Sequence, residues 1–268
     1  MVGFSGRAYR QGFTALVTLT FMCAIIGLYF IYAPKLYNLS RKHSFITLGD
    51  FIYHRFKSIH LVVLISIVSI IALGNYILTN LKAIGFILEG ASGGQISFIN
   101  AIIILSLIMV IYETLGGMRS VAWTDMLQGI LLLFGVIAIF FIIYTEYGGL
   151  NSISSKLQIN RPDFWTPPDF SGKLLWLSTI LVVSIGVSVY PHAIQRIYSA
   201  KSSSTLQRSL QLMIFMPFVT TLFMVIVGIV GASQIDGLNR IESEQISILL
   251  LVDLVEKVPT VSWLIVLF

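Results

Sequence analysis

Charge is what this chain has least of. Asp, Glu, Lys and Arg together make up 11% of its 268 residues, where a soluble domain carries about 25%. Cysteine is nearly absent as well. Cys23 stands alone, which excludes an intrachain disulfide and a cysteine-built metal cluster, and its place inside an apolar run suits a small packing residue. The signatures of enzymes are missing: there is no HExxH, no GxSxG, no Walker lysine loop and no paired-carboxylate cluster. His43, His54, His60 and His192 are scattered without a liganding spacing, so no metal site is expected. The net charge of +5 lacks a basic face with interleaved aromatics, which argues against a nucleic-acid partner. These absences describe a chain that is not an enzyme, has no catalytic residues and needs no cofactor.

What the chain has is hydrocarbon. Hydrophobic residues make up 56% of it and its mean hydropathy is +0.90. A membrane-spanning helix needs about 20 mostly apolar residues, and six segments qualify: 12–33, 60–81, 96–115, 124–145, 173–194 and 209–233. None of their middles holds Asp, Glu, Lys or Arg, each of which costs about 2.5–3.5 kcal/mol at a helix centre. Arg7 and Arg10 precede the first run, which is too long and lacks the small-residue cleavage site of a signal peptide. The segment 242–257 differs, because Ile246, Leu249, Leu250, Leu254 and Val255 recur near helical spacing with Glu242, Asp253, Glu256 and Lys257 between them. It reads as an amphipathic helix lying at the membrane interface. A final apolar run, 260–268, is nine residues long and, at about 1.5 Å per residue, covers less than half a bilayer, so a truncated chain is expected. The expected fold class is an all-α polytopic membrane protein forming one partial transmembrane domain.

The loops 34–59, 116–123 and 195–208 are short and basic, which places them in the cytoplasm and the N-terminus of this chain outside, in a multi-pass protein of the cell membrane. Tyr29, Tyr32, Trp123, Tyr144, Tyr147, Trp165 and Trp176 fall near helix ends and read as interface anchors. In the run Ser178–Pro191, Ser184, Gly186 and Ser188 alternate ahead of a proline that removes a backbone donor. A helix broken at that depth frees polar backbone groups, which are tolerated only inside protein or beside a water-filled cavity. Small-residue packing between helices explains the same pattern. Thr14 and Thr18 are one helical turn apart on one face of the first run. The lack of buried carboxylates favours sodium over proton coupling, since sodium can be held by carbonyls and hydroxyls.

Between the third and fourth runs lies Tyr112-Glu113-Thr114-Leu115-Gly116-Gly117-Met118-Arg119-Ser120-Val121-Ala122-Trp123-Thr124-Asp125, read as a short polar turn between two spans. Together with Trp123-Thr124-Asp125-Met126-Leu127-Gln128, with Thr47-Leu48-Gly49-Asp50-Phe51-Ile52-Tyr53-His54-Arg55-Phe56, and with Gln195-Arg196 and Ala200-Lys201-Ser202, it resembles the sodium:solute symporter family. Glu113 departs from the small residue the family has there. The resemblance implies a partial LeuT-type inverted-repeat fold: core helices 2 to 7 complete, 242–257 as the interfacial helix, and 260–268 opening core helix 8 as a truncated span. The family's sodium site lies on core helices 1 and 8, so this stretch alone is expected not to form it. On the matching positions, Thr14, Thr18, Tyr76, Ser184, Val187, Ser188 and Pro191 would face the substrate, and Asp125 would lie on the sodium exit path. A helix-start acid favoured by the dipole accounts for Asp125 equally well. Ile185, Gly186 and Val187 stand where some members carry large gating aromatics, whereas Tyr190-Pro191-His192 is more like members that carry small carboxylates such as monocarboxylates, pantothenate or amino acids.

The implied activity is sodium-coupled symport of a small organic solute by alternating access, with the solute, sodium and the lipid bilayer as partners. Two alternatives stand beside it: the membrane sensory domain of a transporter-like signalling protein, and an inactive fragment.

Overall fold

The computed structural model describes residues 2–258, without the side chains at 2, 91, 113, 118–120 and 143. The expected truncated span at 260–268 lies outside the described residues. Among them there is no strand. Twelve α-helices follow in order: α1 (Val2–Gln11), α2 (Val17–His43), α3 (Leu48–Phe56), α4 (Ile59–Ala91), α5 (Phe98–Glu146), α6 (Gly149–Asn160), α7 (Phe170–Ser188), α8 (Pro191–Tyr198), α9 (Ser203–Met213), α10 (Met216–Gln234), α11 (Arg240–Ser243) and α12 (Ile246–Lys257). Among the described residues six helical stretches are long and apolar enough to cross a membrane: Gly3–His43, Ile59–Gly90, Phe98–Gly117, Val121–Glu146, Phe170–Ser188 and Ser203–Gln234. The chain is a polytopic, all-helical membrane protein.

Local chemistry sets the helix boundaries. Thr47 and Asp50 form a reciprocal capping box at the start of α3, and Lys57 ends it in the left-handed region at φ 52°. Asp169 caps α7 by accepting from the Gly172 amide at 2.8 Å, and Ser202 caps α9 by accepting from the Thr205 amide at 3.0 Å.

Several elements differ from the sequence reading. The first run is not one α-helix beginning at residue 12: a 3-10 segment, Gly12–Leu16, joins α1 to α2. Gly12 has φ +57°, and a Cβ there would collide with the Phe164 ring. The expected polar turn at 116–123 is helical on both sides of Gly117, whose φ of 58° and ψ of −160° make the break in a single residue. The sixth run is interrupted at 214–215, ahead of Pro217 in the first turn of α10, where the missing N–H is tolerated. The segment 242–257 is not one helix either. α11 ends at Ser243, and α12 begins at Ile246 with Ile246, Leu250 and Leu254 buried in protein, where the amphipathic reading put an apolar face against lipid.

The described residues fall into two compact units. One holds the residues up to Leu16, 80–167 and those from 218; the other holds 17–79 and 168–217.

The first unit is built on close backbone approach. α1 packs on α11 and α12. A Cβ at Gly6 would lie 2.7 Å from the Ser243 carbonyl, one at Gly228 would strike the Ser5 carbonyl and come within 2.7 Å of the Ala8 Cβ, and one at Gly231 would strike Ile246. Small residues at such crossings let helices gain dispersion contact in a solvent that offers no hydrophobic drive. Around them Ala8, Met224, Val230, Leu250, Leu251 and Leu254 form a close-packed core. Polar contacts stitch its margin. The Tyr9 hydroxyl donates to the Ile235 carbonyl at 2.9 Å and accepts from the Leu238 amide at 3.1 Å, and Arg10 pairs with Glu244 at 2.9 Å. Tyr147, expected as an interface anchor, is buried and donates to Asp253 at 2.7 Å, which Lys257 also reaches at 2.7 Å. Burial raises the Asp253 carboxyl, but the bonds from Lys257 and Tyr147 outweigh it and hold the group below the ordinary carboxylate range.

In the second unit α2 lies along α7 and also meets α8 and α9, while α3 touches α8. This unit contains the broken helix.

Candidate solute site at the α7–α8 break

α7 stops at Ser188 and α8 starts at Pro191, with Val189 at φ −99°, ψ 10° and Tyr190 at φ −59°, ψ 135°. Pro191 has no amide hydrogen, and the residue before a proline is pushed out of the helical region, so the ladder cannot run through. The last carbonyls of α7 therefore need other donors. Two come from α2. The Tyr29 hydroxyl donates to the Val187 carbonyl at 3.4 Å, and the Tyr32 hydroxyl donates to the Ser188 carbonyl. The Tyr190 amide also reaches the Val187 carbonyl, at 3.2 Å.

The serines turn inward beside the break. Ser184 and Ser188 are buried, and their hydroxyls donate to the Leu181 and Ile185 carbonyls at 3.3 and 2.8 Å. An aromatic group covers the start of α8. Tyr76 of α4 stacks on His192 with centroids 5.1 Å apart and planes 21° off parallel, and meets Tyr190 edge-on at 6.2 Å. Tyr190 and His192 lie 5.4 Å apart. The His192 Nδ1 atom is buried without a hydrogen-bond partner among the described residues. A hydroxyl-lined helix break, an imidazole nitrogen free to bond and three aromatic faces can hold a small solute with a polar end.

Of the expected substrate set, Ser184, Val187 and Ser188 lie on the last turns of α7, Pro191 begins α8, and Tyr76 stands against Tyr190 and His192 beside it. Thr18, in the same unit, is buried on α2. Thr14 belongs to the other unit and to the 3-10 segment, where its hydroxyl donates to the Gln11 carbonyl at 2.7 Å. The two threonines therefore do not share a face of one α-helix, because the winding changes between them. Asp125 is an exposed residue of α5 in the other unit. Tyr29 and Tyr32 were missed as members of the site. Read as interface anchors, they instead close α7, and Tyr29 is 8% exposed. Their spacing of three on α2 puts both hydroxyls on one face, but their partners are 158 and 156 residues away and leave no mark in the sequence. His192 and Tyr190 were quoted only as part of a motif, although their position around Pro191 was signal enough to include them.

Among the described residues no group of three or more His, Cys, Asp or Glu side chains is gathered for a metal ion. The family motifs have structural work as well. Thr47 and Asp50 cap α3, Ser202 caps α9, and the Thr124 hydroxyl donates to the Val121 carbonyl at 2.9 Å.

Several apolar spans, one of them closed by tyrosines at a proline break, define a multi-pass membrane protein with a discontinuous helix. Residues 1–262 match the model of the sodium:solute symporter family, and the chain belongs to that family, which is one of transporters. It is 28% identical over 249 residues to the uncharacterized symporter YhjB of Bacillus subtilis, covering 91% of this chain and 50% of that protein. It is 28% identical over 242 residues to the sodium/pantothenate symporter of Haemophilus influenzae, covering 89% and 50%. Against the sodium/proline symporter of Staphylococcus aureus strain RF122 the identity is 25% over 237 residues, covering 86% and 45%. The chain spans about half the length of these curated relatives. No solved structure matches it significantly.

Proposed function

We propose that this chain is the solute-holding part of a sodium-coupled symporter for a small carboxylate, working in the cell membrane with its N-terminus outside. The carrying observation is the α7–α8 break, with its buried serines and the Tyr76–Tyr190–His192 group. The relatives named for pantothenate and proline support the solute class, since both molecules carry a carboxylate, and their names support sodium as the coupling ion. Thr18, Ser184, Val187, Ser188 and Pro191 shape the cradle, and Tyr76 supplies a stacking face. Asp125 guides sodium towards the cytoplasm. Sodium binding favours the outward-open state and so raises solute affinity; inward opening then releases both.

Uptake of labelled pantothenate, proline and pyruvate by cells expressing the gene tests this. One of the three should enter, and replacing sodium with choline should cut its initial rate about tenfold or more, the effect of losing at least 1.4 kcal/mol of coupling. Uptake indifferent to the cation would remove sodium from the proposal, and Tyr76→Ala leaving the apparent affinity unchanged would remove the site.

A further inference from the structure

The connection 44–58 joins two membrane-crossing helices, Gly3–His43 and Ile59–Gly90, so it lies where hydrocarbon meets water. Its composition suits that border. Ile46, Tyr53 and Phe56 are 75%, 51% and 57% exposed, while Arg41, Lys42, Arg55 and Lys57 are exposed among them. Apolar side chains interleaved with cations are the mark of a segment resting on headgroups.

The connection also encloses space. An open cavity of about 610 Å³ is lined by His43, Ser44, Thr47, His54 and Lys57, with Val62 of α4 among its apolar wall residues. The His43 and His54 rings lie 4.1 Å apart, and the Lys57 ammonium sits 5.8 Å from the centre of the Tyr53 ring. Asp50 is the acid in this wall, and its carboxylate is already engaged: it accepts from the Ile46 and Thr47 amides at 2.9 and 2.7 Å and from the Thr47 hydroxyl at 3.1 Å. The lining therefore pairs hydroxyl, imidazole and ammonium groups, the engaged Asp50 carboxylate among them, with the aliphatic carbon of Ile46, Ile59 and Val62. That pairing fits a phosphate joined to an acyl chain.

We propose that the α2–α3–α4 corner binds the phosphate headgroup of an anionic phospholipid, with Lys57 and Lys42 supplying charge and His43, His54 and Thr47 supplying hydrogen bonds. A zwitterionic lipid cancels the same phosphate with its own ammonium and gains less from the lysines. The assignment is independent of which solute is carried.

Native mass spectrometry of the full chain in detergent, offered phosphatidylglycerol or phosphatidylcholine of identical acyl chains, tests it. Phosphatidylglycerol should be retained about tenfold better, and K42Q/K57Q should erase most of that preference, as expected for two cations near a lipid surface. Lys57→Gly is the second variant, because glycine keeps the left-handed cap while removing the charge; it should lose part of the preference with an unchanged helical circular dichroism signal. Equal retention of both lipids by the wild type, or an undiminished preference in both variants, overturns the proposal. Displacement of the lipid by millimolar inorganic phosphate would assign the cavity to a soluble anion and overturn it as well.

Discussion

The two units of this chain differ in where each is most exacting. In the unit formed by the N-terminal residues, 80–167 and the residues from 218, the exacting points are the crossings where Gly6, Gly228 and Gly231 let backbones and side chains meet around a hydrocarbon core at Met224 and Leu250, with polar bonds at its margin. In the other the exacting point is the end of α7, which α2 both packs along and hydrogen-bonds. Gly186, Gly74 and Gly27 have open space where a Cβ would go, and it is tyrosine hydroxyls that secure the end of α7. A packed crossing tolerates no added atom. A hydrogen-bonded break tolerates changes of shape but not the loss of a donor.

Substitutions can break this contrast directly. Gly228→Val should be the most damaging, because its side chain meets the Ser5 carbonyl and Ala8 Cβ, neither of which can yield; overpacking of this kind costs about 3 kcal/mol or more at the upper end of its range. Gly74→Ala, into open space on α4, should instead leave stability unchanged or raise it by up to about 1 kcal/mol. Thermal unfolding of both variants in detergent is the measurement, and similar shifts would dissolve the distinction between the units.

Tyr29→Phe with Tyr32→Phe should come next. Each removes a donor from a carbonyl at the break and costs about 1 kcal/mol, with a larger loss of solute affinity than of folding if the break holds the solute. Hydrogen exchange across 181–195 should accelerate in the double variant and stay unchanged elsewhere.

The smallest effect is expected at Asp50. The backbone bonds from Thr47 and Ile46 hold its carboxyl below the ordinary carboxylate range, so its contribution is present above the unfolded value of about 3.9 and is lost as pH falls through the lower folded value. Asp50→Asn should loosen α3 by about 1 kcal/mol at neutral pH. Amide exchange in α3 should then lose its dependence on pH in the acid range; an unaltered dependence would assign it to another group.

Much of the architecture was legible because lipid imposes long apolar runs, and the break at Pro191 was legible because proline cannot donate. The single-residue kink at Gly117 was not, since a Gly-Gly pair followed by Arg119 reads as a turn until the backbone shows helix on both sides. The burial of α12 was hidden because the same amphipathic pattern serves a membrane surface or a protein groove, and it is the enclosure of Ile246, Leu250 and Leu254 that distinguishes them. The roles of Tyr29 and Tyr32 were out of reach, since a tyrosine near a helix end looks alike whether it faces a headgroup or a carbonyl.

The hydroxyls that close α7 also limit how the chain can bend. Tilting the end of α7 away from α2 would strand the Ser188 carbonyl, at a cost of about 1–3 kcal/mol, and leave the Val187 carbonyl to the Tyr190 amide. α2 and α7 are therefore tied together at the break. α8 meets α2 as well, so the chain on both sides of the break is seated on one helix.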